Sequence, residues 1–355
     1  MDTTANFAGE RILVTGACGT IGSEIINQLL AHHSPKEILA VDNNETSLFM
    51  IEEQYKKYEQ VKFLLADITQ WNRMYRSNME GIDTVFHTAA FKHVVLCERS
   101  PALAVSNNIV GLQNMIQSAT EARVKRFTFT SSDKAVNPTN VMGTSKLMGE
   151  RLVSAAHAVQ RKHVTIFAST RFGNVLGSRG SVIPIFKAQI KSGGPVTLTD
   201  TAMTRFVMSV SDAARLVLSS ALMACGGEVF VTKMPVIRIQ DLAEVMIEKL
   251  APFYGKSPGS VIVKVIGKKT GEKIYEELMT EEETGRAVEC RDFFAILPAF
   301  RALYGNITYK YAEQTRAPVH QPYNSATQKP LDRNDLTALL IDTGVFSASL
   351  PPRQA

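Results

Sequence analysis

Two titratable side chains of opposite character stand next to each other in the middle of this sequence. Residues 131–146 read SSDKAVNPTNVMGTSK and place Asp133 beside Lys134, after Ser132 and ahead of a second lysine, Lys146. A carboxyl group and an amine held side by side can protonate one atom of a substrate and deprotonate another. A lysine near a second cation also loses its proton more easily. The stretch predicts acid–base catalysis; the alternative is an exposed turn pair without chemical consequence.

A strand and a helix are predicted to position this stretch. Residues 126–132 alternate aromatic and β-branched side chains, which indicates a buried strand whose carboxyl end carries the acid and the amine. In open α/β sheets, ligands bind at that end. After Pro138 a helical run begins, and Met142 and Lys146 lie four residues apart on one face of it. This is the spacing of a Tyr-x-x-x-Lys pair with methionine in place of tyrosine.

Methionine at position 142 changes the chemistry that this spacing can support. A thioether has no proton to exchange, whereas a tyrosine can take the proton of a substrate hydroxyl. Either Asp133 or a water linked to Lys146 must then do that work, and both alternatives stay open. Met142 in isolation is also compatible with simple core packing, because methionine commonly fills gaps.

A glycine turn near the amino terminus predicts a nucleotide site. Residues 11–15 form a short buried-strand pattern, followed by GACGTIG and an amphipathic run to about residue 32. In a strand, glycine turn and helix of this kind, missing side chains let the backbone approach a pyrophosphate at the positive end of the helix. The candidate cofactor contacts in this turn are Gly16, Gly19, Thr20, Ile21 and Gly22.

The second strand pattern, residues 37–42, ends in an acid that strengthens this interpretation. Asp42 follows the last motif glycine by twenty residues, where a carboxylate can bind both ribose hydroxyls and repel a 2′-phosphate. This favours NAD over NADP. The alternative is that Asp42 only caps the next helix. Further strand patterns cover residues 63–67, 84–90 and 164–177, and a late helix is predicted over residues 331–344.

Composition excludes several classes of protein. The chain has 355 residues, 45% of them hydrophobic and 21% charged, with a net charge of +5 spread along the chain, so no nucleic-acid-binding face is expected. The four cysteines show neither paired nor metal-type spacing, and no metal is expected. The polar start and the lack of a long apolar stretch predict a cytoplasmic protein without a membrane segment.

The central stretch and several other phrases resemble one enzyme family. HTAAFKHVVLCE, SSDKAVNPTNVMGTSK, RFGNVLGSRGSVIPIF, MTRFVM, GGEVFVTKMP and TGEKIYEELM echo the extended short-chain dehydrogenases, and among them the UDP-N-acetylglucosamine 4,6-dehydratases of bacterial polysaccharide biosynthesis. The resemblance extends to about residue 283. Met142 resembles a subgroup whose other members often carry a membrane-spanning amino-terminal region, so this chain is expected to be a soluble short form.

The resemblance implies a fold and a domain organisation. A Rossmann-type doubly wound parallel α/β sheet would bind NAD through residues 1–175 and 206–235. A smaller, discontinuous α/β domain, residues 176–205 and 236–355, would bind the nucleotide sugar. Homologues usually pair through the helices after Pro101 and Met142, so a homo-oligomer is expected.

The resemblance also implies the role of individual residues. On the hexose of the substrate, Lys134 would be the base at carbon 5 and Asp133 the acid for the hydroxyl of carbon 6. Ser132 would form a hydrogen bond to the hydroxyl of carbon 4, and Met142 would occupy the position of the tyrosine. Lys146 would hold the nicotinamide ribose. Further cofactor contacts would be Asp67, Ile68 and Ala89. The substrate contacts would be Lys92, His93, Asn174, Arg179, Thr204, Arg205 and Glu272.

The resemblance favours the first of four hypotheses for the function, and the other three are alternatives. The first is dehydration with retention at carbon 5, which the methionine subgroup resembles. The second is dehydration with inversion, which occurs among relatives with tyrosine at position 142. The third is a UDP-sugar 4-epimerase, which needs no acid and base for carbons 5 and 6. The fourth is a catalytically inactive NAD-binding partner protein.

Overall fold

Short runs of apolar and β-branched residues form the strands of this chain, because such side chains pack well in a sheet that is covered on both faces. The computed structural model describes residues 6–160, 165–178, 180–268, 271–300, 307–312, 314–315 and 317–346. The strands in these residues are Arg11–Thr15 (β1), Glu37–Asp42 (β2), Val61–Leu65 (β3), Thr84–His87 (β4), Arg126–Thr130 (β5), Ile166–Arg171 (β6), Asn174–Val175 (β7), Val196–Leu198 (β8), Thr204–Met208 (β9), Val229–Thr232 (β10), Val236–Arg238 (β11), Val263–Val265 (β12), Glu277–Met279 (β13), Ala287–Glu289 (β14), Phe293–Ile296 (β15) and Tyr323–Asn324 (β16).

Helices with one apolar face connect and cover these strands. None of the helices in the described ranges is long and apolar enough to cross a bilayer. The α-helices are Thr20–His32 (α1), Glu45–Tyr55 (α2), Trp71–Met74 (α3), Val94–Arg99 (α4), Pro101–Val105 (α5), Leu112–Glu121 (α6), Val141–Ala158 (α7), Val182–Ser192 (α8), Val210–Met223 (α9), Ile239–Leu250 (α10), Glu281–Thr284 (α11) and Arg333–Asp342 (α12).

A nine-stranded sheet organises the larger part of the molecule. Its strand order is β14-β15-β10-β6-β5-β4-β1-β2-β3. The strands from β3 to β10 are parallel, and β15 and β14 extend the sheet in antiparallel orientation. The strand order reverses at β1, which lies between β2 and β4, and such a reversal is where open α/β sheets bind ligands. The predicted Rossmann-type doubly wound fold is confirmed.

Most element boundaries agree with the sequence prediction. The strands expected over residues 11–15 and 37–42 are observed as β1 and β2. Three predicted strands are shorter than expected: β4 ends at His87, β5 ends at Thr130, and β6 begins at Ile166 and ends at Arg171. The residues after β4 and β5 leave the sheet and carry the candidate site instead.

The chain divides into two compact units. Unit 1 comprises the residues up to Phe172, Ser211–Lys233 and Leu278–Pro322, and unit 2 comprises Gly173–Val210, Met234–Glu277 and the residues from Tyr323. These boundaries differ from the predicted ones by two or three residues at 173–175 and 234–235, and by more at two further places. Residues 206–210 belong to unit 2, because β9 pairs with β7 and β11. Residues 278–322 belong to unit 1, because β15 pairs with β10 in the large sheet.

Each unit has its own apolar core. In unit 1, buried side chains of the sheet, among them Val85, Phe127 and Phe167, pack against helical residues such as Leu112 and Met115. In unit 2, helices α8, α10 and α12 contribute most of the buried cluster. The candidate catalytic residues all lie in unit 1.

Candidate active site

The predicted acid and amine form a single turn at the carboxyl end of β5. Asp133 is fully buried and Lys134 is partly exposed. The Lys134 ammonium donates to Asp133 Oδ1 at 3.0 Å, and the Ser132 hydroxyl donates to the same oxygen at 2.7 Å. The other oxygen, Oδ2, is buried and has no hydrogen-bond partner among the described residues. The pair is therefore not an exposed turn pair, because the Asp133 side chain is fully buried.

Backbone hydrogen bonds fix this turn to its neighbours. The Asp133 N–H donates to the Phe172 carbonyl at 3.0 Å, which ties the turn to the end of β6. Ser132 caps the short 3₁₀ turn Asp133–Ala135, with its hydroxyl accepting the Lys134 N–H. Both contacts fix the position of the acid relative to the end of β6.

Lys146 lies in α7, close to the end of β5. Its ammonium donates to the Thr130 carbonyl at 2.9 Å and lies 4.7 Å from the centroid of the Phe129 ring. Burial lowers the pKa of Lys146 to about 8, and the negative charge of Glu150 opposes that shift. Lys146 is therefore a buried cation that loses its proton at a lower pH than an exposed lysine does.

Met142 packs in an apolar cluster with Cys97 of α4 and Ala104 of α5. The Glu98 carboxylate also accepts the Val141 N–H at 2.5 Å, at the first turn of α7. Two contacts thus connect α4 to the start of α7. The core-packing interpretation of Met142 agrees with this environment, in which a sulfur atom can exchange no proton.

The glycine turn is packed so closely that side chains in it would meet the surrounding backbone. Gly16 has a φ of +68°, and a Cβ on it would lie 2.7 Å from the Ala89 nitrogen. A Cβ on Gly22 would lie 2.3 Å from the Gly16 carbonyl oxygen, and one on Gly19 would lie 3.0 Å from the same atom. The backbone can be this close only with glycine. The turn at the start of α1, where Thr20 and Ile21 follow, fits a pyrophosphate.

Residues predicted to bind the cofactor line one cleft beside the switch point of the sheet. Its lining includes Gly16, Gly19, Asp42, Ile68 and Ala89. The Asp42 carboxylate accepts the Cys18 and Asn44 N–H groups at 3.0 Å each. Asn44, rather than Asp42, caps α2, so the helix-capping alternative for Asp42 is wrong. Asp67 caps the short turn that begins at Ile68.

An asparagine, Asn108, fixes the loop after β4 through hydrogen bonds to its backbone. Lys92 and His93 are exposed in this loop. Asn108, in the π-helical turn Ser106–Gly111, accepts the Phe91 N–H at 2.8 Å and donates to the Phe91 carbonyl at 3.0 Å. Asn108 also donates to the Ser145 hydroxyl, which connects the loop to α7.

The remaining predicted substrate contacts lie in unit 2, where they form local contacts. Arg205 at the start of β9 donates to the carbonyls of Thr204, Lys273 and Ile274 at 2.7 to 3.0 Å. Its guanidinium lies 4.0 Å from a Glu272 carboxylate oxygen. Asn174 begins β7, and its side-chain oxygen is buried. Arg179 lies outside the described residues.

Sequence reasoning missed a set of buried charges in unit 1. Arg171 contacts the carboxylates of both Glu150 and Glu283, and all three are buried. The one local signal was that Glu150 follows Lys146 by four residues and so lies on the same face of α7. The pairing with Arg171 and Glu283 is distant in sequence and carries no local pattern.

The sequence of this chain matches a family of known proteins. A family model described as polysaccharide biosynthesis protein matches residues 12–298. This chain belongs to that family. An uncharacterized membrane protein of Methanocaldococcus jannaschii is 48% identical over 297 residues, 84% of this chain and 88% of the relative. The chain spans 45% of the length of a longer relative, the capsular polysaccharide biosynthesis protein CapD of Staphylococcus aureus, with 43% identity over 278 residues, 77% of this chain.

Two further relatives carry enzyme names. A UDP-N-acetylglucosamine 4,6-dehydratase (inverting) of Campylobacter jejuni is 34% identical over 296 residues, 83% of this chain and 85% of the relative. A UDP-glucose 4-epimerase of Rickettsia bellii is 34% identical over 346 residues, 95% of this chain and 96% of the relative. Relatives of this chain thus include proteins named as a sugar-nucleotide dehydratase and as a sugar-nucleotide epimerase.

Solved structures share the fold. Pen from Bacillus thuringiensis superimposes with a TM-score of 0.87 at 39% identity, over 95% of this chain and 99% of Pen. The Thermus thermophilus UDP-glucose 4-epimerase, solved as a complex with NAD, has a TM-score of 0.60 at 22% identity, over 74% of this chain and 88% of the epimerase. The extended short-chain dehydrogenase fold of this polysaccharide biosynthesis protein is confirmed.

Proposed function

We propose that this protein is an NAD-dependent UDP-N-acetylglucosamine 4,6-dehydratase. Its product would be UDP-4-keto-6-deoxy-N-acetylglucosamine, with retention at carbon 5, for glycan or polysaccharide biosynthesis. One observation carries the proposal: Asp133 is buried at the end of β5, pairs with Lys134 through one oxygen and leaves the other without a partner among the described residues. A sugar-nucleotide epimerase needs no such pair, whereas a dehydratase does.

The reaction requires four proton movements around the sugar. The hydroxyl of carbon 4 loses a proton, carbon 5 loses one and regains one, and the hydroxyl of carbon 6 leaves with one as water. Lys134 in its neutral form takes the proton of carbon 5 and later returns it. Asp133 as a carboxylate takes the proton of the carbon 4 hydroxyl and delivers it to the departing hydroxyl. Both residues then end the cycle as they began it.

In this assignment, Asp133 accepts the proton of the carbon 4 hydroxyl, which a tyrosine at position 142 would otherwise accept. The Asp133 Oδ1 atom already accepts two hydrogen bonds, and its Oδ2 atom is available to a substrate hydroxyl. For this reason we prefer Asp133 to the second candidate from the sequence, a water linked to Lys146. Ser132 would hold the oxygen of carbon 4.

The chain's own residues would bind the cofactor in the cleft of unit 1. NAD, when bound, supplies reversible hydride transfer, out of carbon 4 and back to carbon 6. The backbone of Gly16 and Gly22 would approach its pyrophosphate, and Asp42 would accept its ribose hydroxyls and exclude a 2′-phosphate by like charge. Lys146 would donate to the nicotinamide ribose. The remaining contacts would be Gly19, Thr20, Ile21, Asp67, Ile68 and Ala89.

The substrate would be held through its UDP group by residues of unit 2. Glu272 would accept from the uridine ribose, and Asn174 and Arg179 would donate to the diphosphate. Thr204 would contact the same nucleotide. Arg205 would act mainly by fixing the backbone of residues 273–274, because its guanidinium already donates to carbonyls there. Lys92 and His93 would contact the sugar from the loop after β4.

The epimerase function is the second candidate, because the Rickettsia bellii relative with that name matches 95% of this chain. Incubation of the purified protein with UDP-N-acetylglucosamine, followed by proton NMR, separates the candidates. A new methyl doublet at carbon 6 supports dehydration. A galacto-configured product would instead support epimerisation, and unchanged substrate in the presence of NAD would support an inactive NAD-binding protein.

A further inference from the structure

A buried ionic network lies in unit 1 behind the catalytic turn Ser132–Lys134. Glu150, Arg171 and Glu283 are 3%, 1% and 6% exposed. All five N–H donors of the Arg171 guanidinium are used, at 2.6 to 3.0 Å: two go to each carboxylate and one to the Leu278 carbonyl. Such a fully satisfied network has one geometry, and loss of one partner would leave a buried charge without its counterpart.

This network reaches the catalytic turn from two sides. The Ser131 hydroxyl donates to Glu150 Oε1 at 2.6 Å, immediately before Ser132 in the chain. On the other side, the carbonyl of Phe172, which follows Arg171, accepts the Asp133 N–H at 3.0 Å. Ser131 thus contacts Glu150 of the network, and Asp133 contacts Phe172, the residue that follows Arg171 in the chain. A shift of Glu150 would displace the turn that carries the acid and the amine.

Glu150 also lies one helical turn after Lys146 on α7, so their side chains share one face of the helix. Burial lowers the pKa of Lys146 and the charge of Glu150 raises it. His87 is neutral at physiological pH, because burial lowers its pKa to about 3. The other charged side chains on the elements that pack against α7 are Glu98 and Arg99 of α4, Glu121 of α6, Arg126 of β5, Asp133 and Lys134 of the catalytic turn, and Arg171 of β6.

We propose that Glu150 is a positioning residue for the dehydration: it fixes Ser131 behind the catalytic turn and keeps the ammonium of Lys146 charged. The inference rests on the proposed function. Glu283 provides a matched control, since it binds Arg171 through two hydrogen bonds as Glu150 does and is similarly buried. In the described contacts, Glu283 touches neither Ser131 nor Lys146.

The experiment compares Glu150→Gln, Glu283→Gln and Ser131→Ala with the wild type. The pH dependence of kcat is measured from the methyl signal, and the titration of Lys146 is followed in the apo protein by ¹³Cε NMR, assigned through Lys146→Arg. Glu150→Gln should lower kcat by up to about 100-fold. The alkaline limb of its profile and the Lys146 titration should both move about one pH unit lower, because an opposite charge is removed.

The two control variants distinguish the effect of Glu150 on the position of the catalytic turn from its effect on the charge of Lys146. Ser131→Ala should lower kcat without moving either titration, and Glu283→Gln should leave both titrations in place. If Glu150→Gln and Glu283→Gln show the same pH dependence of kcat and the same Lys146 titration, the inference is overturned. Glu150 would then have a structural role only. If Glu150→Gln does not fold, an unchanged kcat in Ser131→Ala would overturn the positioning role. If the wild type gives no methyl signal, only the proposed function is refuted. The Lys146 titration would still test whether Glu150 keeps the Lys146 ammonium charged.

Discussion

The Lys134 ammonium lies 3.0 Å from one carboxylate oxygen of Asp133, whose second oxygen is buried without a hydrogen-bond partner in the part of the chain that the structure describes. A buried carboxylate oxygen without a partner is costly, and folded proteins rarely retain one without a reason. The arrangement is explained if a substrate hydroxyl completes it. The two residues should then act together in catalysis rather than in folding.

Replacement of either residue should therefore remove the chemistry and keep the cofactor. We expect Asp133→Asn and Lys134→Met to reduce formation of the methyl signal by about 10²- to 10⁴-fold, the usual contribution of a positioned acid or base. Nucleotide released by denaturation should stay at the wild-type amount. Glu248→Gln is the control, because Glu248 and Lys249 form an exposed pair of adjacent residues at 2.8 Å. A fully active Asp133 and Lys134 double variant would refute the assignment.

The glycine turn offers a test that separates backbone strain from steric exclusion. Gly16 and Gly9 both have a positive φ, +68° and +72°, but only at Gly16 would a Cβ meet backbone atoms within 3 Å. Gly9→Ala should cost about 1–2 kcal/mol of stability through φ alone and leave NAD bound. Gly16→Ala should cost more than Gly9→Ala and lose NAD. Thermal unfolding and released nucleotide measure both effects, and equal behaviour of the two variants would contradict the assigned role of Gly16.

The Asp42 carboxylate should decide between the two nicotinamide cofactors. Its two backbone donors place it at the end of β2 beside the cleft, so a 2′-phosphate would meet a like charge. We expect denaturation to release NAD rather than NADP. Asp42→Asn keeps an oxygen acceptor and removes the charge, and it should raise the ratio of NADP to NAD affinity by about tenfold or more, equivalent to at least about 1.4 kcal/mol. Glu45→Gln, exposed in the first turn of α2, should leave that ratio unchanged.

Local patterns predicted the sheet and the catalytic turn, because their signals lie within a few residues. The glycines of residues 16–22 and the acid at Asp42 could be recognised from spacing, and Asp133 and Lys134 from their place after a strand. Residues 278–322 could not be assigned correctly, because the pairing of β15 with β10 depends on the whole sheet. The contacts of Arg171 were equally inaccessible, since Glu283 lies 112 residues further on.

Burial also changed what a predicted residue can do. The family resemblance implied that Arg205 binds substrate. In the structure its donors satisfy carbonyls of residues 273 and 274, and that use depends on a loop fold that local sequence does not specify. A charged residue's type predicts which partners suit it, and the tertiary fold selects which of them it meets.

Met142 should matter for packing and not for proton transfer. It is 3% exposed and contacts Cys97 and Ala104, so Met142→Leu should keep the volume and cost less than about 1.5 kcal/mol. Met142→Ala should cost about 2–5 kcal/mol through the cavity that it leaves. Activity per folded molecule should stay near the wild-type value in Met142→Leu. Complete loss of the methyl signal in that variant, with unchanged thermal unfolding, would show that the sulfur itself takes part.

The stereochemistry at carbon 5 depends on which groups can return the proton to the keto intermediate. Inversion needs a donor on the face of the sugar opposite the base, and the thioether of Met142, packed against Cys97 and Ala104, can neither donate a proton nor relay one. With Lys134 as the base, the proton should return from the side on which it left. We expect the D-configured 4-keto-6-deoxy product, with solvent deuterium at carbon 5 when the reaction runs in heavy water. Ring coupling constants of the first-formed product measure the configuration, and an initial L-configured product would mean that another group serves the opposite face.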